Sequence, residues 1–224
     1  MAIAKMSFDE KWNFFDEIEN KGYLKNEEFS ILSQLSVDND EEVRNRTAQV
    51  LVFAPQEIAE SLLISMLDDE DEMVRVNTCD SLGCGKTKEA INLLFKKLGK
   101  DSFLVRGYAV QSIADITVNG KHNTDDISVQ LKEEYNREKS SWVKASYHYA
   151  FYVLGEQEYY QELINQINHR SYQMRCATIN SIDSLNGGNQ LNKTIEVLKN
   201  RLLVEKSLAV KSSIMRTLAC LEKL

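Results

Sequence analysis

The chain has one proline among its 224 residues, nine glycines and three histidines. Its four cysteines, Cys79, Cys84, Cys176 and Cys220, include no CxxC pair. Each shortage excludes something. With Pro55 as the single proline, helices can run unbroken, and a Pro-rich linker between domains is ruled out. Unpaired cysteines argue against a secreted disulfide framework, so the expectation is reduced thiols in a cytoplasmic protein. His122, His148 and His169 lie neither four residues apart nor beside a cysteine at ligand spacing. No metal is therefore expected. No apolar run approaches the length of a membrane span, and Met1–Met6 is too short for a signal peptide. Sustained period-two alternation is missing as well, so no strands are expected.

Catalytic motifs are also scarce. No GxSxG, Cys/His or paired-carboxylate constellation stands out. Gly85-Lys86-Thr87 imitates the end of a phosphate-binding loop, but that motif needs glycine at position 80, where the chain has Asp80. A strand should precede it and a helical segment does. The reading is a helix stop followed by Thr87 as the next N-cap. The chain is expected not to be an enzyme and to hold no cofactor.

What the chain does have is a signature in six copies. It reads Asp/Ser-x-x-Val/Met-Arg/Lys, with its apolar member at Val43, Val74, Val105, Val143, Met174 and Val210. The spacings between these are 31, 31, 38, 31 and 36 residues. Self-similarity at such a period marks a solenoid, in which each unit buries its apolar face against the next. The leading Asp40, Asp71, Ser102, Ser140, Ser171 and Ser207 suit helix N-caps. Counting from the Val/Met, offset 8 is again apolar: Leu51, Leu82, Ile113, Phe151, Ile182 and Leu218. Offset 4 is often small or β-branched, as in Thr47, Thr78, Ala109 and Thr178. Offsets 0, 4, 8 and 11 share one helical face. Each such helix (B) follows another apolar-periodic segment (A), for example Ile91-Leu94-Leu98. Gly83, Gly85, Gly155, Gly187 and Gly188 punctuate the B-helix ends.

In the stretches Asp38–Arg44 and Asp68–Arg75 the chain resembles the HEAT repeat family, including the HEAT-like repeats of phycobilisome lyases. The resemblance covers roughly residues 25–222 and implies an all-α superhelix, or solenoid, of about six helix pairs. The expected units are a cap over residues 1–24 and repeats near 25–54, 55–85, 86–118, 124–155, 156–188 and 189–224. In the cap, Phe8, Trp12, Phe15 and Ile18 make one apolar face. The family also implies that the basic ladder Arg44, Arg75, Arg106, Lys144, Arg175 and Lys211 pairs with the acidic helix start of an adjacent repeat. Its regularity argues for a structural role. The segment Val118–Asp126 explains the long third spacing, 38 residues, as an inserted loop.

Charge is uneven. Residues 1–72 hold 18 Asp/Glu and 6 Lys/Arg, whereas residues 73–224 hold 16 and 21. An acidic end can steer a basic partner. Family arrays place B helices along the concave surface. Offset 3 there reads Arg46, Asn77, Tyr108, Ser146, Ala177 and Ser213; offset 6 reads Gln49, Asp80, Gln111, Tyr149, Asn180 and Arg216. Helical geometry turns Tyr108, Tyr149 and Tyr152 away from the core and predicts an exposed aromatic patch, a candidate hot spot. The expected binding residues are Arg46, Gln49, Asn77, Asp80, Tyr108, Gln111, Tyr149, Tyr152, Asn180 and Arg216. The leading expectation is a non-enzymatic protein-binding scaffold, in one version an inhibitor or immunity protein for a basic partner such as a nuclease. The alternatives are a bilin lyase-like enzyme and a nucleic-acid-binding or DNA-repair protein. The rows hold only two basic residues, Arg46 and Arg216, too few for phosphate neutralisation.

Overall fold

The computed structural model describes residues 6–185 and 190–223. Gly187 and Gly188, expected to end the fifth B helix, lie outside them. Thirteen α-helices and no strand occur among the described residues. After the cap α1 (Phe8–Lys21), A and B helices alternate: α2 (Asn26–Leu35), α3 (Glu41–Val50), α4 (Gln56–Met66), α5 (Glu72–Leu82), α6 (Lys88–Leu98) and α7 (Phe103–Asn119). They continue as α8 (Thr124–Arg137), α9 (Ser141–Val153), α10 (Tyr159–Asn165), α11 (Tyr172–Ser184), α12 (Leu191–Val204) and α13 (Leu208–Leu221). Contacts divide the chain into two compact units, residues 1–134 and 135–224.

All six signature residues are N-caps of the B helices. Five accept a backbone N–H through their side chains, as Asp71 does from Met73 and Val74. Ser171 is the exception; its hydroxyl donates to Gln173 at 2.6 Å. Three residues on, Val43, Val74, Val105, Val143, Met174 and Val210 are all buried. Fully burying such a side chain is worth about 1.5–3 kcal/mol. In the first unit α3 packs on α5 and α5 on α7, with α2, α4 and α6 each against its own B helix. The cap α1 covers α3, burying Phe15 and Ile18. In the second unit α9 packs on α11 and α11 on α13.

Guanidinium–carboxylate rungs join successive repeats. Arg44 on α3 donates to both oxygens of Asp69, at 2.7 and 2.9 Å, and to the Asp38 carbonyl at 2.8 Å. Arg75 on α5 repeats this with Asp101 at 2.9 Å and the Asp69 carbonyl at 2.8 Å. Arg175 on α11 does so with both oxygens of Glu205 at 2.8 Å and the His169 carbonyl at 2.7 Å. Each carboxylate also accepts the N–H of the next N-cap, at 2.9 Å for Asp71, 2.8 Å for Ser102 and 2.8 Å for Ser207. One side chain thus fixes the start of its own helix and that of the next. At the amino end Lys11 of the cap reaches Asp38 at 2.5 Å and supplies the cation that a preceding repeat would give. The fourth copy departs from the rule. Position 169 is histidine, whose Nδ1 accepts the Ser171 N–H at 3.1 Å, and Lys144 sits over the Tyr135 ring at 5.1 Å.

The expected loop Val118–Asp126 is not a loop throughout. Helix α7 runs to Asn119 because Ile116 and Thr117 are buried and continue the helical face. Only residues 120–123 are left to connect it to α8. They are pinned: His122 Nε2 is 2.7 Å from the Lys86 carbonyl. Gly120 packs so closely on that carbonyl and on His122 that a Cβ would collide with both.

The rung carboxylates titrate low. Hydrogen bonds from Arg175 hold the Glu205 carboxyl far below the usual range against the opposing effect of burial. Burial alone would raise Asp69 and Asp101, but hydrogen bonds from their arginines and from backbone N–H groups bring both below normal. Groups that titrate lower when folded add stability above the ordinary carboxylate pKa of about 4, and this is lost as pH falls through the folded values. The melting temperature should therefore fall below about pH 4. Glu205→Gln should lower it at neutral pH and flatten its acid limb. A melting temperature independent of pH in that range, or an unchanged limb in the variant, would contradict the rung.

Candidate partner-binding face of the B helices

The outward rows of the first unit form a connected polar surface. Arg46 on α3 reaches Asp16 and Glu19 of the cap at 3.4 and 2.6 Å and Gln49 at 3.1 Å. Gln49 donates to Asn77 on α5 at 3.3 Å, and Asn77 donates to Asn45 at 2.5 Å. Asp80 is exposed, while Tyr108 and Gln111 on α7 are half-buried. Desolvation, with the Asp80 charge adding to it, raises the Tyr108 phenol above its ordinary value, which keeps it a neutral donor at physiological pH. In the second unit Arg216 on α13 donates to Asn180 on α11 at 2.7 Å. The structure brings Arg46, Gln49 and Asn77 together, and separately Asn180 and Arg216. These contacts span neighbouring repeats, so the rows are held in place without a ligand.

The exposed aromatic patch is overturned at Tyr149. That ring is only 3 % exposed and belongs to the core of the second unit, with Tyr160, Leu163 and Ile164 of α10 and Ile179 and Ile182 of α11. The reason is geometric. A helix wheel with one buried side leaves offset 6 in solvent, but a B helix has neighbours on more than one side, and here α10 and α11 both pack on α9. Tyr152 packs against the same cluster, half-buried, and its ring lies 5.4 Å from that of Tyr160. The Tyr160 hydroxyl shares a 2.6 Å hydrogen bond with Thr194. Tyr149 and Tyr160 fill the interior between short helices, and half-buried Tyr152 lies against them.

The acidic stretches have also been partly consumed. Asp38 and Asp69 are rung acceptors, and Asp40 and Asp71 are N-caps. Asp68 bonds Lys97 at 2.6 Å. Glu41, Glu42 and Glu70 are exposed, as are Asp9, Glu10, Asp16, Glu17 and Glu19 on α1, although Asp16 and Glu19 pair with Arg46 and Glu17 with Lys21.

One feature escaped sequence reading. Glu60 on α4 is 5 % exposed and accepts the Thr87 hydroxyl and the Thr87 N–H, the latter at 3.1 Å. Thr87 in turn caps α6 by accepting the Ala90 N–H. The Gly85-Lys86-Thr87 stretch is therefore the stop-and-cap that the sequence suggests, with a carboxylate behind it. Beside it lies a cavity of about 240 Å³ walled by Leu51, Ala59, Leu63 and Leu82. Among the described residues no three His, Cys, Asp or Glu side chains converge at metal-binding distance, and no helix is long and apolar enough to cross a membrane.

Tyr149→Ala should behave as a core truncation, losing about 3–5 kcal/mol of stability. Asn180→Ala, at an exposed site, should change stability by under about 0.5 kcal/mol. Chemical denaturation of both variants tests this, and equal small losses would return Tyr149 to the surface.

Comparison with known proteins agrees with this architecture. Residues 29–127 match the family of HEAT repeats. Among curated proteins none matches the sequence significantly. Of solved structures, the complex of CpcE and CpcF of phycocyanin lyase from Nostoc sp. PCC7120 is similar at 17 % identity and TM-score 0.66, covering 98 % of this chain and 93 % of that one. The protein YibA of Escherichia coli is similar at 20 % identity and TM-score 0.50, covering 96 % and 76 %. At these identities the likeness is one of fold. The match to the family of HEAT repeats covers residues 29–127, and over the rest of the chain the likeness is to α-helical repeat structures.

Proposed function

We propose that the chain is a non-catalytic protein-binding scaffold. The observation that carries this reading is the row Arg46, Gln49, Asn77: polar side chains tied to one another across two repeats and to the cap. Such a surface is pre-organised for hydrogen bonding, which lowers the entropic cost of docking. It offers no nucleophile or acid–base pair. Asp80 and Gln111 extend it in the first unit, and Asn180 and Arg216 offer its counterpart in the second. The exposed carboxylates of α1 and the α3 start favour a basic partner, because a field of one sign raises the association rate. An inhibitor or immunity role towards a basic enzyme is the specific form of this reading, exercised in the cytoplasm.

Nucleic-acid binding is the weaker reading. The two basic residues of the rows are already engaged, Arg46 by Asp16 and Glu19 and Arg216 by Asn180. A lyase-type role is favoured by one observation, the near full-length likeness to the CpcE–CpcF complex. It would predict that the chain binds a bilin with a change in the pigment's absorption spectrum.

The test is affinity capture from source cells with immobilised full-length chain. The expected result is a stoichiometric basic protein whose association slows as salt rises, and whose capture is weakened by Glu41→Lys with Glu42→Lys. No stoichiometric partner, or a bilin-induced spectral change, would overturn the scaffold reading.

A further inference from the structure

The cavity beside the Thr87 cap has a chemistry that the fold alone does not require. It lies within the first unit, where the 3₁₀ turn Leu51–Phe53, helix α4 and the end of α5 pack together. Its volume is about 240 Å³. Leu51, Leu63 and Leu82 wall it with hydrocarbon and are themselves buried. Ala59 on α4 presents only a methyl group to it. Val52, 40 % exposed, and the exposed thiol of Cys84 mark its mouth. An apolar cavity of about 150 Å³ accepts a benzene ring. This one therefore has room for a ring with a short chain, and falls below the roughly 300 Å³ of a site for a drug-sized molecule.

Glu60 is the single charged residue of the lining. It occupies a position that neighbouring A helices give to hydrocarbon. Three residues before the buried Leu32, Leu63 and Leu94 the chain has Phe29, Glu60 and Ile91. A side chain 5 % exposed at such a place is ordinarily apolar. Three donors meet the carboxylate. The Thr87 hydroxyl and N–H reach Oε1, and the Lys86 N–H reaches Oε2 at 3.4 Å. Gly85 lets the chain pass this close, since a Cβ there would come within 3.1 Å of Oε1. All three donors are neutral, and among the described residues no cation pairs with Glu60. Holding the Thr87 cap needs an acceptor but not a charge; a glutamine would do it. A carboxylate has about four acceptor sites, and Oε2 carries one long bond. A buried carboxylate without a counter-charge is costly, and a cation beside it offsets part of that cost.

We propose that this cavity binds a primary ammonium group on a small hydrocarbon body, about the size of one aromatic ring with a two-carbon chain. The hydrocarbon fills the space against Leu51, Leu63 and Leu82, and the ammonium donates to Oε2 of Glu60. A free amine and a lysine side chain offered by a partner share this chemistry. Selectivity follows from the carboxylate. An alcohol of the same shape makes a weaker, neutral hydrogen bond, and an acid of the same shape meets like charge. None of Arg46, Gln49 and Asn77 lines the cavity, so the site is independent of the protein-binding reading above.

Phenethylamine is the probe, titrated into the full chain at neutral pH by calorimetry, with 2-phenylethanol and 3-phenylpropanoate as shape controls. The amine should bind saturably and about tenfold tighter than the alcohol, as a charge-assisted bond exceeds a neutral one. The propanoate should not bind. Bound amine should slow the alkylation of Cys84 by iodoacetamide and leave the exposed Cys220 unaffected, as read by peptide mapping. Glu60→Gln should lower the amine's affinity to that of the alcohol. Ala59→Leu grows into the cavity and should remove the binding of both. The shape series and the Cys84 protection need only the parent chain, so they decide the matter even where a variant unfolds. Nα-acetyl-lysine methylamide distinguishes the two sources. Tighter binding of this amide assigns the site to a partner's lysine and tighter binding of phenethylamine to a free amine, and both results support the site. No saturable binding of either amine, equal affinity for amine and alcohol, or binding that leaves Cys84 unprotected would overturn it. Capture of a basic protein by the α3 carboxylates is read separately, so the scaffold reading stands or falls without this site.

Discussion

The rung is the constraint on which the rest depends. A guanidinium donates forward to a carboxylate and backward to the carbonyl before its own helix, and the carboxylate accepts the next N-cap's N–H. Each member therefore restrains two helix starts at once. Stacked helix pairs have little else to set their register, because apolar faces slide with small penalty. Bidentate geometry removes that freedom, since both nitrogens of Arg175 meet both oxygens of Glu205 at 2.8 Å. Burying such a pair gains little net free energy, because desolvation offsets most of the attraction. Its contribution is to positional certainty, and the polar rows on the outward face inherit that certainty.

Helices α1 and α13 treat the rule differently. Cap helix α1 supplies an ammonium in place of a guanidinium and buries Phe15 and Ile18 against the first pair. Its outward side carries the exposed Asp9, Glu10, Asn13, Asp16 and Glu17. Helix α13 repeats the inner face faithfully, with Val210, Ile214 and Leu218 buried. It also carries Met215 where earlier helices have core residues.

Much of the fold is legible in the sequence because each repeat states it locally. Six N-caps, six buried Val/Met residues and the cation after each could be read from one short signature. The failures have a common cause. Tyr149 was placed in solvent by a wheel with one buried side, whereas α10 and α11 cover a second side. The loop at Val118–Asp126 was inferred from spacing, yet the extra residues went into α7, whose Ile116 and Thr117 prolong the buried face. Glu60 gave no signal, since a glutamate in an A helix reads as solvated surface; its role depends on where the Thr87 cap falls in space. The polar rows are legible as residues but not as a network, because Gln49 and Asn77 lie 28 positions apart.

The central claim is that the rungs couple adjacent repeats, and a double-mutant cycle on Arg44 and Asp69 tests it most directly. Denaturant unfolding of the parent, Arg44→Ala, Asp69→Ala and the double variant gives the coupling free energy of the pair. A value of about 1.5–3 kcal/mol is predicted, since the two groups share a desolvated, bidentate contact. A value within about 0.5 kcal/mol of zero, as for independent sites, would show that apolar packing alone sets the register.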